Sequence, residues 1–447
     1  MNHAFYLQWH LTTACQNHCK HCYVYDPATY EHECTHPLSL EKKLEIMDKF
    51  DAFGEEWGFT FPTVCLIGGD PLLAPDWFEF ATALRKRGKK LTIAGNPETL
   101  TDDNLKRLKD LEVGTCQLSL DGMEENHDRQ RSKGSFRRTV EGLGRLKHAG
   151  ISPVVMTTLT PIGVEDFFKL CAFIADETAA DVLGFDFVCK VGNARGMHVA
   201  FTPEEVFDLS VRYLEMKETY EMRRPAFTFA EKPGFFRILH MARGEIAPYD
   251  DGACYPVEGC LIGTSCIPIL SDGTLLSCRR LPEFLGRLPE DDIANIFLKN
   301  ETLKRYRRPQ FWKDCGSCIG WNWCRGCPSE SYGECGDPFK KPSICYAHLL
   351  GMDTRCAHEA IPMETTMEEE ADLIKRNLKQ TYISLFLEKK VPKDIPSECL
   401  RLLCDDGEAK RFRQNPGQWF SLRHPEWSAQ ERRLFATRYN ESIIGSF

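Results

Sequence analysis

Three cysteines near the N-terminus have the spacing of a metal-binding loop. They stand in Cys15-Gln-Asn-His-Cys19-Lys-His-Cys22, a C-x3-C-x2-C pattern. A loop can curl three thiolates around one iron-sulfur cluster, which a helix or a strand cannot do. Three protein ligands leave one iron open, so this pattern favours a cluster that binds a substrate or a cofactor. The same residues also suit a zinc knuckle completed by His18 or His21.

A second cysteine-rich segment lies between residues 254 and 356. It holds 11 of the 21 cysteines, and an odd total in a chain with no export signal is incompatible with a purely disulfide framework. Eight of these thiols are enough for two closed iron-sulfur clusters with four ligands each, or for two four-cysteine zinc sites. Their spacing is Cys260-x5-Cys266-x11-Cys278, then Cys315-x2-Cys318-x5-Cys324-x2-Cys327, then Cys345.

Short apolar runs alternate with helical periodicity from the N-terminus to about residue 200. Such alternation is typical of a parallel sheet with right-handed crossovers, as in a full or partial α/β barrel. In that architecture the chemistry lies at the carboxyl ends of the strands, where the first cysteine loop also falls. The predicted strands are 5–12, 63–67, 90–94, 115–121, 153–160 and 183–189, and the predicted helices are 39–53, 76–88, 101–110, 135–149, 164–176 and 203–222, the last opened by Thr202 and Pro203.

Composition narrows the class of protein. A length of 447 residues with 42% hydrophobic content predicts a globular chain with more than one domain. No apolar run approaches the roughly 20 residues of a membrane span, and the first residues do not resemble a secretory signal. We therefore expect a soluble, cytoplasmic protein that does not bind a membrane. The net charge of -9 disfavours a nucleic-acid partner.

The chain divides into three parts by composition. Residues 1–225 carry the alternation of strands and helices. Residues 226–358 are rich in cysteine, glycine and proline, with little regular structure to build a core, so metal is the expected source of order there. Residues 359–447 are charged and mostly helical in period, and their clearest helix covers 368–390.

The first cysteine loop resembles the signature of the radical S-adenosylmethionine (SAM) superfamily, in which the open iron binds the amino and carboxylate groups of SAM. A motif after the second strand agrees with this resemblance. Gly68-Gly69-Asp70-Pro71 is similar to the family's GGEP motif, whose backbone meets the SAM amino group, with aspartate in place of the commoner glutamate. The paired glycines by themselves permit close approach of a backbone to a ligand, or simply a turn.

Three later residues extend the resemblance. Asn96 looks like the asparagine of the family's T-N-G element, although its flanking residues here are glycine and proline. The stretch from Ser119 to Arg131 resembles the S-x-D-G and H-D-x-x-R motifs of peptide-modifying members. The resemblance implies that Ser119 and Arg131 lie near the SAM carboxylate, a role that suits a hydroxyl and a guanidinium. Without the resemblance, each would be interpreted as a helix cap or a surface ion pair.

The second cysteine-rich segment resembles the SPASM extension of radical SAM enzymes, which holds two auxiliary 4Fe-4S clusters. Together the two resemblances cover about residues 5–350 and imply a partial (β/α)6 TIM-like barrel, a SPASM cluster domain and a helical C-terminal tail. One departure concerns the gap before Cys327, which is one residue shorter than usual and leaves Cys335 as a reserve ligand. The implied ligands are Cys260, Cys266, Cys278 and Cys327 for the first auxiliary cluster, and Cys315, Cys318, Cys324 and Cys345 for the second.

The resemblance also implies a reaction and its partners. In the family, reductive cleavage of SAM produces a 5′-deoxyadenosyl radical that abstracts a hydrogen atom from an unactivated carbon. SPASM members mostly modify ribosomally made peptides, so we expect a precursor peptide or protein as substrate and a flavodoxin or ferredoxin as electron donor. A thioether or another oxidative crosslink is the expected product. No proton-accepting side chain can be assigned from the sequence.

Two other functions stay open at this point. One SPASM branch oxidises a cysteine or serine of sulfatases to formylglycine, and it typically carries an aspartate base just after the cysteine that corresponds to Cys278. This chain has Arg279-Arg280 there, which cannot act as a base but could meet acidic peptide side chains or form an ion pair within the domain. A cysteine-rich zinc scaffold that binds protein partners would use the same thiols without an open iron.

Ten cysteines belong to none of these sets. Cysteine is a small hydrophobic residue that is often buried, so most of the ten are expected in the core, and one of them could still take part in catalysis. They are Cys34, Cys65, Cys116, Cys171, Cys189, Cys254, Cys335, Cys356, Cys399 and Cys404.

Overall fold

The computed structural model of the chain is an α/β protein in which the ten described strands form one sheet. The structure describes residues 3–161, 164–197, 200–224, 226–231, 234–246, 259–260, 262–352, 358, 360–384, 411–412, 416–427, 432 and 435. The strands are β1 (His3–Thr12), β2 (Phe59–Gly68), β3 (Lys90–Ala94), β4 (Thr115–Ser119), β5 (Ser152–Leu159), β6 (Val182–Phe187), β7 (Thr228–Ala230), β8 (Cys266–Ile269), β9 (Thr274–Cys278) and β10 (Leu281–Arg287).

Helices fill the connections between the parallel strands and cover the outside of the sheet. Right-handed crossovers of this kind place every strand's carboxyl end at the same edge. The described helices are α1 (Tyr30–Thr35), α2 (Leu40–Trp57), α3 (Trp77–Lys86), α4 (Asp102–Asp110), α5 (Glu124–Gln130), α6 (Ser135–Ala149), α7 (Val164–Glu177), α8 (Pro203–Arg223), α9 (Phe236–Ala242), α10 (Glu301–Tyr306), α11 (Pro328–Cys335), α12 (Met367–Ser384) and α13 (Pro416–Arg423).

The strand order along the sheet is β10-β9-β8-β1-β2-β3-β4-β5-β6-β7. Strands β1 to β7 are parallel and follow chain order, which is the partial α/β barrel that the sequence predicts. The six predicted strands are confirmed, each with ends within four residues of the prediction. The seventh parallel strand, β7, was not predicted, because three residues are too few for a periodic signal.

The two faces of β1 pack in different apolar clusters. Its residues Phe5, Leu7 and Trp9 pack into the large core beneath the helices. Tyr6 points the other way and packs in a separate apolar cluster that includes residues of β2, β5 and β6. Successive side chains of a strand alternate between faces, so β1 presents Tyr6, Gln8 and His10 to the barrel interior.

Local capping sets the ends of the helices. The Ser39 hydroxyl accepts a hydrogen bond from the Lys42 backbone at the start of α2, and Gly58 ends that helix in the left-handed region with φ of 73°. At α8 the predicted cap is confirmed, because Thr202 and Glu205 form a reciprocal capping box ahead of Pro203. The six predicted helices of residues 1–225 are confirmed, with ends that shift by at most four residues.

The cysteine-rich segment does not depend on metal alone for its position, contrary to our expectation. Strand β8 pairs with β1 in parallel, with Tyr6 opposite Cys266, so the segment continues the sheet of the barrel. A turn at Ser271-Asp272-Gly273 then reverses the chain into β9 and β10. Leu275 of β9 joins the core of the barrel. Alternation was hard to detect here because β8 has only four residues.

A buried charge cluster joins α12 to the cysteine-rich segment. The Glu370 carboxylate lies 2.9 Å from Arg307 and 2.8 Å from Arg308, and all three side chains are completely buried. Burial raises the pKa of Glu370, but the two guanidinium groups outweigh it and hold the pKa at about 2. The first part of the predicted C-terminal helical region therefore packs on the cysteine-rich segment. Residues 385–390 of the predicted helix lie outside the described residues.

None of the described helices is long and apolar enough to cross a bilayer.

Candidate active site and metal centres

The three cysteines of the first loop follow the carboxyl end of β1 directly. The thiols lie within electrostatic reach of one another, since the charges of Cys15 and Cys19 both raise the pKa of Cys22. Burial is the larger cause and takes the pKa of the Cys22 thiol to about 12. Burial likewise raises the pKa of Cys15 and Cys19. The fold therefore gathers the predicted thiols around one small volume.

Two predicted residues donate hydrogen bonds to these thiols. The Asn96 side-chain amide, just beyond β3, donates to the Cys15 sulfur at 3.1 Å. Arg131 donates through Nη1 to the Cys19 sulfur at 3.6 Å, and through Nε to Asp121 at 2.5 Å. The ion pair is thus present, and the same guanidinium also reaches the cysteine loop. Donors of this kind stabilise sulfur ligands that carry negative charge.

The Gly68-Gly69-Asp70-Pro71 segment packs on the same loop. The backbone amides of Gly69 and Asp70 donate to the carbonyl oxygens of Thr12 and Ala14, each at 2.7 Å. Contact is so close that a Cβ on Gly69 would lie 2.3 Å from the Ala14 oxygen. A glycine pair is therefore required for the approach of this segment to the cysteine loop.

Asp70 is fully buried beneath this contact. Its carboxylate accepts hydrogen bonds from the Thr99 hydroxyl at 2.8 Å and from the Leu72 backbone at 3.2 Å. Burial raises the pKa of Asp70 to about 6 in spite of these donors. The structure thus brings Asp70 and Asn96 together below the loop, whereas Ser119 lies at the last position of the neighbouring strand β4.

The turn at Gly192–Gly196, which follows β6, also contacts the cysteine loop. The Asn193 backbone and side-chain amides donate to the carbonyl oxygens of Cys22 and Cys19, both at 3.0 Å. Gly192 has φ of 57°, and a Cβ there would lie 2.4 Å from the Cys22 oxygen. The Gly-Asn pair was the available signal, since glycine suits a left-handed turn in close backbone contact.

A second set of thiols consists of the four that were predicted for one auxiliary cluster. Burial is the main cause that raises the pKa of Cys260 to about 12, and the charges of Cys327 and Cys278 act in the same direction. Cys266 is affected in the same way by Cys278 and Cys260. These four residues span 68 positions of sequence, so only the tertiary fold brings them together. By contrast, Cys335 is exposed, and its thiol donates to the Ser331 carbonyl at 3.2 Å.

The third set consists of Cys315, Cys318, Cys324 and Cys345. Burial raises the pKa of Cys324, and the charges of the other three thiols raise it further. Backbone amides also point at this set, since Gly320 donates to the Cys318 sulfur at 3.3 Å and Gly326 to the Cys324 sulfur at 3.5 Å. Amide donors directed at sulfur are typical of iron-sulfur sites.

A family comparison decides the class of this site. Residues 9–174 match the model of the radical SAM superfamily. This range contains the first cysteine loop, the glycine pair, Asn96 and Arg131. Residues 9–174 form a radical SAM domain. Members of the superfamily use SAM and a 4Fe-4S cluster, and the chain is therefore an enzyme.

Heme synthases and peptide maturases are among the known proteins similar to this chain. The AdoMet-dependent heme synthase of Nitratidesulfovibrio vulgaris is 25% identical over 352 residues, which cover 76% of this chain and 91% of the relative. The sporulation killing factor maturation protein SkfB of Bacillus subtilis is 22% identical over 287 residues, which cover 64% of this chain and 63% of the relative. Among solved structures, Streptococcus suis SuiB bound to precursor peptide SuiA matches with a TM-score of 0.59 and 18% identity, covering 77% of this chain and 76% of SuiB.

The cysteines outside the three proposed thiol sets differ in burial. Cys65, Cys116 and Cys171 are buried, as expected for small hydrophobic residues. Cys189 differs, because its sulfur, the Cys327 sulfur and a carboxylate oxygen of Glu330 all lie within 4.8 Å of one another. No sequence spacing connects Cys189 with Cys327, so this neighbour could not be foreseen. Outside the described residues lie Cys254, Cys356, Cys399 and Cys404.

We predict that Gly69→Ala disrupts the cluster loop of the radical SAM domain. Its methyl group would meet two backbone oxygens, those of Ala14 at 2.3 Å and Thr13 at 2.5 Å, and a backbone cannot rotate away as a side chain can. We expect a loss of about 1–3 kcal/mol in the free energy of unfolding, by analogy with overpacked cores. Denaturant unfolding of the apoprotein measures this loss.

The matched control for that prediction is Gly144→Ala on helix α6. A Cβ at Gly144 meets no atom within 4 Å, so the same added methyl group should leave stability unchanged or raise it by up to about 1 kcal/mol. If Gly69→Ala unfolds at the same denaturant concentration as Gly144→Ala, the close contact of the glycine segment is not required.

Proposed function

We propose that this enzyme is a radical SAM maturase that oxidises a ribosomally synthesised peptide, with a thioether or another crosslink as product. The observation that carries the proposal is the arrangement of 11 thiols in one set of three and two sets of four. The set of three leaves a ligand position for SAM, and the sets of four suit closed clusters. A solved maturase bound to its precursor peptide shares the fold over 77% of this chain.

The donor chemistry of the three sets fits iron-sulfur clusters. Cys15, Cys19 and Cys22 would hold the SAM-binding cluster, while Asn96 and Arg131 donate to its sulfur ligands. When bound, the clusters supply one-electron chemistry, namely the electron that cleaves SAM and an acceptor for the electron left on the substrate. Gly68, Gly69, Asp70, Pro71 and Ser119 complete the proposed SAM site. The auxiliary ligands we propose are Cys260, Cys266, Cys278 and Cys327, and Cys315, Cys318, Cys324 and Cys345.

The proposal extends to partners and location. A flavodoxin or ferredoxin is the proposed electron donor, because the first cluster needs a low-potential electron for each SAM cleaved. The proposed location is the cytoplasm, where thiols stay reduced.

The three proposed parts of the chain are the barrel at 1–225, the cluster domain at 226–358 and the extension at 359–447. The described parts of all three pack together, since β8 pairs with β1 and Glu370 binds Arg307.

Mass spectrometry tests the proposed function. The full-length enzyme is incubated without oxygen with SAM, a reductant and a small peptide encoded beside the gene. Each crosslink removes two hydrogens, one taken by the 5′-deoxyadenosyl radical and one lost as a proton with its electron passed to the enzyme. We therefore expect a loss of two hydrogens per site, and none with Cys15→Ala. Accumulation of 5′-deoxyadenosine with no change in the peptide mass would contradict crosslinking of that peptide.

A second candidate function is the modification of a porphyrin. It is favoured by the heme synthase, which matches this chain over 91% of its own length. The same incubation with iron coproporphyrin III in place of the peptide separates the candidates. A changed porphyrin mass together with an unchanged peptide mass would replace the maturase assignment. The sulfatase alternative gains no support, because the position after Cys278 holds Arg279 and not a carboxylate.

We predict that Cys327, and not Cys335, supports the first auxiliary cluster. Cys189 lies close enough to offer a replacement thiol, so the Cys189→Ala/Cys327→Ala double variant is the sharper test. We expect it to lose about four irons per chain, the content of one 4Fe-4S cluster. The exposed Cys335→Ala is the control and should keep its full iron content by elemental analysis. The reverse pattern would assign the ligand to Cys335.

A further inference from the structure

Two neighbouring arginines after β9 have different surroundings. Arg280 lies 3.0 Å from the Asp186 carboxylate of β6, and it donates to the Cys327 sulfur at 3.9 Å. Arg279 has no ion pair with a carboxylate among the described residues, and its guanidinium instead lies over the ring of Tyr23 at 5.6 Å. Arg280 therefore connects β6 to the Cys327 thiol. The charge of Arg279, by contrast, has no carboxylate partner among the described residues.

The unpaired guanidinium faces the interior of the barrel. Burial and the charge of Arg280 lower the pKa of Arg279, but its neighbours Tyr23, Tyr6 and Cys65 outweigh them. Tyr6 and Cys65 belong to the apolar cluster inside the barrel. Arg279 also lines a cavity together with His10 and Tyr23, directly behind the first cysteine loop. A positive charge thus projects into the space where the substrate of a barrel enzyme binds.

Among the described residues, the other polar groups that line this cavity form no ion pair with Arg279. His10 is 1% exposed, and neither of its ring nitrogens has a hydrogen-bond partner. The two acids that line the cavity contact other groups, and one of them, Glu33, also lies 3.8 Å from Nδ1 of His10. Asp26 pairs with Arg195 at 3.0 Å, and Glu33 accepts hydrogen bonds from the backbone and hydroxyl of Ser271, both at 3.2 Å. Burial raises the pKa of Glu33 to about 7, which limits its negative charge.

We propose that Arg279 and His10 bind a carboxylate of the substrate inside the barrel. The Arg279 side chain is half-buried, and a carboxylate that arrives with the substrate would satisfy its donors in a bidentate manner. The neutral imidazole of His10 supplies a further donor. This assignment deepens the proposed function, on which it rests. An acidic peptide side chain and a porphyrin propionate both offer the required group.

Electrostatic support of the auxiliary thiols is the competing role for Arg279. Its charge also lowers the pKa of Cys266. In that role, loss of Arg279 would change the content or the reduction potential of the first auxiliary cluster, and it would not alter the choice between substrates. The test therefore includes both readouts.

Equilibrium binding tests the proposed carboxylate site without turnover. The reconstituted full-length enzyme is saturated with SAM, no reductant is added, and tryptophan fluorescence reports the binding of four probes. These are the peptide encoded beside the gene, the same peptide with its acidic side chains converted to amides, iron coproporphyrin III, and its methyl ester. The variants are Arg279→Gln and Arg279→Lys. The control is Arg137→Gln, which removes a charge from a side chain that is 79% exposed on the barrel exterior.

We expect the native enzyme to bind the acid form of one probe about 10- to 100-fold more tightly than its neutral form, the range for a buried charge-assisted hydrogen bond. Arg279→Gln should abolish this preference. Arg279→Lys should restore part of it, because lysine keeps the positive charge but lacks the planar guanidinium that donates two parallel hydrogen bonds to a carboxylate. Arg137→Gln should behave as the native enzyme. The probe that shows the preference identifies the source of the carboxylate.

Three results would overturn the assignment. The first is an equal affinity of the native enzyme for the acid and neutral forms of both probes. The second is an unchanged preference in Arg279→Gln, and the third is a preference lost together with the iron of the first auxiliary cluster. Failure of the proposed function is a separate result, since it appears as an unchanged peptide mass during turnover while the preference in binding persists.

Discussion

Replacement of Cys15, Cys19 and Cys22 by alanine together is expected to abolish cleavage of SAM. These thiols are the proposed ligands of the SAM-binding cluster, and the fold holds all three at one end of β1. We expect the iron content to fall from about twelve to about eight per chain, since each cluster holds four irons. The rate of 5′-deoxyadenosine formation should fall at least about 1,000-fold, the order seen when a whole catalytic unit is removed.

The control for this variant is the replacement of two exposed cysteines, Cys34 and Cys335, by alanine. Both positions lie outside the three thiol sets, so this enzyme should keep its iron and its activity. Elemental analysis for iron and zinc accompanies the assay, because a zinc knuckle in the first loop would be visible as one zinc lost. The assignment is wrong if the three-alanine variant retains its full iron content and still cleaves SAM.

Glu370→Ala is expected to lower the free energy of unfolding more than Gly69→Ala does. The Glu370 carboxylate is the only ionic partner that the described residues offer to the buried guanidinium groups of Arg307 and Arg308. Removal of one member of such a buried cluster leaves uncompensated charge and costs about 3–5 kcal/mol. Denaturant or thermal unfolding of the reconstituted enzyme measures the loss.

Glu368→Gln provides the comparison on the same helix. Glu368 is exposed in the first turn of α12, so loss of its charge should cost less than about 1 kcal/mol. An equal effect of the two substitutions would show that the buried cluster does not fasten α12 to the cysteine-rich segment.

This charge cluster also changes how the C-terminal extension should be tested. A deletion that starts at residue 360 removes Glu370, so it disturbs the fold whatever else the extension does. A chain that ends after Ser384 keeps the contacts of Arg307 and Arg308 with Glu370. A reduced affinity of that shorter chain for the precursor peptide, at unchanged stability, would assign substrate binding to residues 385–447.

The sequence by itself determined the local elements and the three-cysteine loop. Strand and helix periods act over about ten residues, so six strands and six helices between β1 and α8 could be located to within four residues, whereas the shorter helices α1 and α5 were not predicted. The first loop is equally local, since its ligands span eight positions. Asn96 and Arg131 could be proposed because their motifs resemble those of the radical SAM superfamily.

Only the tertiary structure decided which distant groups become neighbours. It placed β8 beside β1, Cys189 beside Cys327, and Glu370 between two arginines. It also separated Arg279 from Arg280, which look equivalent in the sequence. The physical reason is that side-chain direction and partner choice depend on packing between segments far apart in the chain, and a pattern of residue types records only near neighbours.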